Sequence, residues 1–464
     1  MTIARAIADY SLGIGYENLP PEVIHAAKRA LLDTLGCAVG GFNSEASQIY
    51  QSLTKEMGES SDATVIGSGA RVDCLNAAMA SGIMVRYLDY MDQISIPVGK
   101  WYVFTHPCEV IPSILAVSEW QHLSGKEVLT AIMLGYELLA RFSEATSIIP
   151  MSKKGWNSDT SGAYVVPAVI GKLLRLEAPQ IENAIGISGC HGMILGILDN
   201  ASGEFSMTKN LRFPFTARDG ILAALLARKG FTGPKAVFEG EDGFISSVMD
   251  GDFKKEPLIS YEGRFRILDT EFKAWPACGT IQGHLNATLN LVKQLNILPA
   301  DITSIRIQAG TRSVQHTGDP SRRYPQNKET ADHSAYYVTA IAIIDRQLSP
   351  AQYSAEKYVD PKVKQLIDKI NIEINPDLDR FGRAGITEIN LGQNKKFSCR
   401  IDYPKGHPKN PMDDDELRNK FHSLVGKFFD EKRENKLVDD IFQLEKLQDI
   451  RQLIEQLVFK PQPQ

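Results

Sequence analysis

The chain has 464 residues, enough at about 150 residues per domain for roughly three units, or for one large core with a smaller one beside it. Hydrophobic residues make up 43% and charged residues 23%, with 36 Gly and 23 Pro, which excludes collagen-like, coiled-coil and wholly disordered chains. The 51 basic and 56 acidic side chains leave a net charge of −5, which argues against a nucleic-acid partner but leaves room for a local basic pocket that takes a small anion.

The first ten residues carry no basic stretch followed by a continuous apolar run, so no secretory signal is expected. From Pro20 to about Leu268 the pattern is mostly helical. Pro20-Pro21-Glu22 suits a first turn, and Val23, Ile24, Ala27, Leu31, Leu32 and Leu35 recur at helical spacing until Gly40-Gly41. Further helices are predicted over 73–91, 110–122, 126–145, 161–174, 179–198 and 214–229. The apolar stretch 184–198 is shorter than the ~20 residues of a membrane helix and contains His191, so it is expected as a buried core helix, with no membrane partner.

Between about 269 and 405 period-two alternation takes over, in Thr303-Ser304-Ile305-Arg306-Ile307, Thr387-Glu388-Ile389-Asn390-Leu391 and Phe397-Ser398-Cys399-Arg400-Ile401. The residues Gly392-Gln393-Asn394-Lys395-Lys396 form a hairpin-like loop between the last two. Helical patterns at 281–295, 335–346 and 361–370 interrupt the strands. After His407-Pro408 the chain turns helical again, and Asp413-Asp414-Asp415-Glu416 offers a charged helix start. The expected fold is mainly α. A large all-helical domain begins over 1–268, a smaller α+β domain spans 269–405, and helices over 406–464 return to the first bundle.

Four groups of residues could carry chemistry. Asp89 and Asp92 stand three apart, on one side of a helix if one continues there, where paired carboxylates bind a cation, share a proton or orient a base; a solvated pair is the plain alternative. His106 follows a Gly/aromatic-rich loop, Gly99-Lys100-Trp101-Tyr102, and its imidazole titrates near neutrality, although a lone histidine is often structural. Lys209 and Arg212 follow the small-residue loop Asn200-Ala201-Ser202-Gly203 and could hold substrate carboxylates, unless they lie on a solvated face. In Asp332-His333-Ser334-Ala335-Tyr336-Tyr337 the alternative is a helix cap by Asp332 or Ser334 followed by core aromatics. The six cysteines are scattered without a C-x-x-C pair, which disfavours a zinc site or iron–sulfur cluster and fits a reducing, cytoplasmic compartment.

Several motifs together resemble the MmgE/PrpD family. They are Leu31-Leu32-Asp33-Thr34-Leu35-Gly36-Cys37-Ala38-Val39-Gly40-Gly41, Tyr87-Leu88-Asp89-Tyr90-Met91-Asp92, His106-Pro107, Met207-Thr208-Lys209, Ala331-Asp332-His333-Ser334 with Tyr337, and Tyr403-Pro404-Lys405-Gly406-His407. They keep the family's order across almost the whole chain. The resemblance implies a helical domain with an α+β lid and the active site between them, a homodimer, no metal and no organic cofactor. It further implies a small polycarboxylate substrate, as in 2-methylcitrate dehydratases, cis-aconitate decarboxylases and related epimerases. Carried over by position, its functional residues fall on Asp89, His106, Lys209 and Tyr337, with Asp92 beside them. The chain departs from the pattern twice: the loop Gly155-Trp156-Asn157-Ser158-Asp159 has no histidine, and Gln282, with His284 two further on, stands where another is usual after Lys273-Ala274-Trp275-Pro276-Ala277-Cys278. Ser158, Gln282 and His284 are therefore expected in the substrate site.

On this reading His106 transfers the proton next to a carboxylate, Asp89 holds its ring or pairs with substrate-bound groups, Lys209 and Arg212 bind carboxylates, and Tyr337 donates to the leaving oxygen of a 2-hydroxy acid. A decarboxylase, an epimerase and a non-catalytic anion-binding relative are the other readings.

Overall fold

The computed structural model describes residues 1–98, 101–199, 203–261, 263–392 and 395–459. Gly99, Lys100, Asn200, Ala201, Ser202, Gln393 and Asn394, which belong to three of the loops named above, lie outside the described residues. The fold is mainly α with a smaller α+β region. Its helical portion contains α1 (Ile3–Gly13), α2 (Pro21–Gly40), α3 (Glu45–Met57), α4 (Cys74–Tyr87), α5 (Ile111–Trp120), α6 (Gly125–Ala145), α7 (Gly162–Leu173), α8 (Ala178–Gly189) and α9 (Arg212–Arg228). Local signals set many of the boundaries. Pro21 opens α2, the Asp73 carboxylate accepts from Leu75 and Asn76 N–H at the start of α4, and Ser124 with Glu127 forms a capping box on α6.

Among the helices that are shorter than their hydrophobic patterns predict, two bear on function. The 73–91 pattern ends as helix at Tyr87, and Asp89 adopts a left-handed backbone with φ +48°. The pair Asp89 and Asp92 therefore does not share a helix face. The 184–198 stretch is α-helical only to Gly189, and beyond it Leu195 and Ile197, the latter in a short 3-10 turn over Gly196–Leu198, are exposed, so that part is no core helix. The helical portion also carries a hairpin that the sequence pattern did not reveal, formed by β1 (Gln93–Val98) and β2 (Trp101–Thr105) paired antiparallel with Ile94 opposite Thr105. A short strand β3 (Thr270–Glu271) joins the other edge of β1, with Gln93 opposite Glu271.

A second sheet has the order β5-β4-β6-β7, from β4 (Ile302–Ala309), β5 (Ile370–Ile374), β6 (Gly385–Leu391) and β7 (Lys395–Ile401). β5 runs parallel to β4, while β6 pairs antiparallel with β4 and β7. β5 begins where the predicted 361–370 helix was expected to end; that helix stops at Ile367. Helices α10 (Gln282–Gln294) and α11 (Ala335–Asp345) pack here, the latter capped by the Ser334 hydroxyl. The C-terminal helices are α12 (Asp414–Val425) and α13 (Glu431–Phe442), with Asp413 and Glu416 forming a capping box on α12.

Apolar burial divides into two clusters. One collects buried side chains from 3–272 together with 412–459, and the other those from 277–389. The C-terminal segment thus packs with the first helices, α12 against α2. Its Lys420 is buried, pairs with Asp33 of α2 at 2.7 Å and donates to the carbonyls of Tyr90 and Lys273 at 2.7 and 3.0 Å. One cation from the chain's last fifth therefore fixes the two segments that flank Asp89. No helix among the described residues is long and apolar enough to cross a membrane.

Gly125 begins α6 where the Gly125 N–H donates to the Leu447 carbonyl at 2.9 Å, and a Cβ there would run into the Leu444 carbonyl. Gly125→Ala is expected to destabilise the protein by about 1–3 kcal/mol, as overpacking does. Urea denaturation measures it, and an unchanged midpoint would contradict this packing.

Candidate active site

The hairpin register places His106. Thr105 ends β2 opposite Ile94, so the residue after the one strand meets the residue before the other, and His106 Nδ1 lies 3.1 Å from the Asp92 carbonyl. A carbonyl only accepts, so Nδ1 carries the proton and Nε2 keeps its lone pair. Burial holds the His106 pKa well below 6.5, reinforced by Arg86, Lys273 and Arg212 and opposed by Asp89. The imidazole is thus neutral at physiological pH. The Asp92 side chain points elsewhere, accepting from the Tyr136 hydroxyl at 2.5 Å inside the helical core, where burial and the nearby Asp33 raise its pKa to about 7.

Asp89 sits just past the end of α4, in the backbone region that Asp tolerates better than most residues. Its buried carboxylate bonds to the Lys273 ammonium on one oxygen and lies 3.1 Å from the Lys209 ammonium on the other. Lys209 in turn reaches Asp332 at 2.8 Å, and Asp332 meets Lys328 at 2.7 Å and His333 Nδ1 at 2.5 Å. Burial disfavours ionised Asp89, but Lys273, Lys209, His333 and Arg86 hold its carboxyl well below the usual carboxylate range. The result is a ladder of alternating charges, Lys273–Asp89–Lys209–Asp332–Lys328. It runs from the helical portion into the α+β portion.

Above the ladder opens a cleft lined by Asp89, His106, Lys273 and His333, together with Arg86, Arg312 and Arg383. The guanidinium carbons of Arg312 and Arg383 lie 4.7 and 3.7 Å from the Phe104 ring centroid, so the ring holds both cations. Arg383 is 3.8 Å from Glu271, and Arg312 forms no ion pair among the described residues. Arg86 is 3.8 Å from Glu109. These loosely paired guanidinium groups suit the carboxylates of a small anion. Gly279 allows the close packing: a Cβ there would overlap the Arg383 guanidinium and the Gln93 side chain.

Cys278, His316 and His333 meet at the same cleft, with ligand-type atoms all within 4.8 Å of one another. The backbone bond from Cys278 N–H to the Asp332 carbonyl, 2.9 Å, joins the two turns that carry Cys278 and His333. Burial favours the neutral Cys278 thiol, but the His333 and His316 imidazoles pull its pKa well below the ordinary value of 9.0. This donor set matches the chemistry of a borderline-soft divalent ion. The set Asp89, Asp332 and His333 also has metal-ligand spacing, but ammonium groups already neutralise its carboxylates.

Of the residues expected from sequence, Asp89, His106, Arg212 and Ser158 line the cleft. Arg212 does so with its charge matched by Asp159 at 2.5 Å and by Asp199. Lys209 lies beneath, its ammonium occupied by Asp89 and Asp332, so it positions the ladder rather than facing the cleft. Asp92 acts on His106 only through its carbonyl. Tyr337 is outside the cleft lining: capping by Ser334 turns it into the core, where its hydroxyl donates to the Gln352 carbonyl at 2.5 Å. Gln282 donates to the carbonyls of Trp275 and Ala277 at 3.0 and 3.1 Å and so braces the Cys278 turn. His284 is buried against Gly385, and burial lowers its pKa to about 4. Lys273, Cys278, His316, Arg312 and Arg383 are cleft residues that local pattern reading did not select. Only the Lys273–Cys278 motif and the Asp332-His333 pair gave a signal.

Residues 5–256 match the MmgE/PrpD N-terminal domain and residues 275–444 the MmgE/PrpD C-terminal domain. Cis-aconitate decarboxylase of Aspergillus terreus is 26% identical, with 98% of this chain and 96% of the relative covered. The human cis-aconitate decarboxylase is 27% identical, with 97% and 92% covered. The 2-methylcitrate dehydratase of Escherichia coli K12 is 24% identical, with 93% and 92% covered. The chain is a member of the MmgE/PrpD family.

Proposed function

We propose that the protein is a lyase acting on a small polycarboxylate, and that it dehydrates 2-methylcitrate or a citrate-like 2-hydroxy acid. The observation that carries this reading is a neutral imidazole, His106, placed with its Nε2 lone pair free in a cleft rimmed by guanidinium groups. Substrate carboxylates bind Arg312 and Arg383. His106 Nε2 removes the proton next to a carboxylate, and the charge that develops on that carboxylate is stabilised by Lys273 and Arg86. The C–H electrons form the double bond as hydroxide departs, and the Cys278–His316–His333 group supplies the proton that makes it water. Asp89 orients Lys273, and Lys209 holds Asp89. The scheme needs no metal or organic cofactor. Phe215 and Leu222, seven apart on α9 and both exposed, support a homodimer.

A second reading is decarboxylation, supported by the similarity to the Aspergillus and human cis-aconitate decarboxylases. The same cations would hold the substrate, and the proton donor would quench the carbanion left after loss of carbon dioxide. Proton NMR of the protein in deuterium oxide separates the two, with 2-methylcitrate, citrate and cis-aconitate supplied singly. An unsaturated acid formed from a hydroxy acid is the expected result. Itaconate from cis-aconitate, with the hydroxy acids inert, would replace dehydration by decarboxylation.

His106→Ala is expected to lower kcat by about 10²- to 10⁴-fold. Because burial and neighbouring cations disfavour the imidazolium, the base form persists on acidification, so kcat/KM should stay level from about pH 8 to below 6.5. Full turnover by the alanine variant, or an acid limb at or above 6.5 that persists in Asp92→Asn, would remove His106 from this role.

A further inference from the structure

Next to the polar cleft lies a second cavity of about 340 Å³, larger than the roughly 100 Å³ of the cleft itself. The two adjoin: Pro150, Ser152, Arg312 and His316 line both. Their chemistry differs. On the far side Tyr102, Ile148 and Ile149 form an apolar wall, with the exposed Lys153 and Gln315 completing the lining. Ile148 and Ile149 follow the end of α6 and remain 45% and 41% exposed, two neighbouring large apolar side chains without full cover. The Tyr102 hydroxyl is engaged, donating to the Arg380 carbonyl at 2.8 Å, which leaves the ring to present apolar surface.

Arg312 connects the two spaces. It lines both, is held by Phe104 on the cleft side, and donates to the Tyr102 carbonyl at 3.3 Å. An anion bound at its guanidinium lies at the opening between the spaces, with a substituent free to pass Pro150 toward Ile148 and Ile149. A short polycarboxylate leaves that apolar wall wet. An amphiphilic one covers it.

We propose that the second cavity is a subsite for the alkyl arm of the substrate, so that the preferred ligand is a 2-alkyl polycarboxylate with an arm of several carbons rather than a methyl group. The inference rests on the polycarboxylate reading above and adds the class of substituent. The other source of cover for Ile148 and Ile149, a second copy of the chain, is separated from it by the same experiment.

The test uses the full-length protein and tricarballylates carrying methyl, butyl, hexyl or decyl substituents, which lack the hydroxyl and so bind without turnover. Calorimetry should show Kd falling about threefold to fourfold for each methylene until the cavity is filled. The double variant Ile148→Ser, Ile149→Ser should flatten the series, keep Kd for the methyl compound within about twofold, and leave the sedimentation coefficient unchanged. A flat series in the unaltered protein would overturn the subsite and leave the polycarboxylate reading standing. Failure of every member to bind, the methyl compound included, would overturn both. A chain-length slope that survives in the double variant, or a change in its assembly state, would also overturn the subsite, the latter by assigning the two isoleucines to an interface.

Discussion

The buried ladder Lys273–Asp89–Lys209–Asp332–Lys328 is the interaction on which the rest of the site depends. Removing one partner from a buried ion pair leaves an uncompensated charge and typically costs about 3–5 kcal/mol. Here each inner member has two opposite neighbours, so the charges constrain one another. Asp89 comes from the end of α4, Lys209 from the turn before α9, Lys273 from the segment after β3, and Asp332 and Lys328 from the α+β portion. Four sequence-distant segments are thereby held at the cleft floor. Lys420 adds a second anchor from the C-terminal helices through the carbonyls of Tyr90 and Lys273.

The same charges set the chemistry above them. Burial, reinforced by Arg86, Lys273 and Arg212, makes protonation of His106 unfavourable, while the Asp92 carbonyl selects its tautomer. A histidine with the usual pKa would be partly cationic near neutrality and a poor base there; this one is kept neutral by burial, with the help of cations that also attract an anionic substrate. Binding and proton abstraction thus draw on one electrostatic arrangement. His333 couples it to Cys278, since its Nδ1 belongs to the Asp332 end of the ladder and its ring lies beside the thiol.

Much of the helical framework was legible because its signals are local. Pro21 at the start of α2, the Asp413–Glu416 box and the alternation of β4, β6 and β7 each act within a few residues. The failures have equally local causes. Apolar periodicity continued past Tyr87 and Gly189 although the helices ended there, because periodicity reports a buried face and not the backbone that carries it. Glycine and aromatic residues around Gly99 read as a loop and concealed the β1–β2 hairpin. For the site, His106 and Asp89 announced themselves by residue type and by family position. The family position of Tyr337 did not identify a cleft residue, because the Ser334 cap fixes the helix with that side chain in the core. Cys278, His316 and His333 are far apart in sequence, and only the Cys278–Asp332 backbone bond and the packing of the α+β portion bring them together.

The most direct test of this account is nitrogen NMR of the imidazoles in histidine-labelled protein, with His106→Gln used to assign the signal. The account predicts a neutral ring protonated at Nδ1, with no conversion to imidazolium as the pH falls from about 8 to below 6.5. A ring protonated at Nε2, or one that titrates at or above its ordinary pKa, would contradict it.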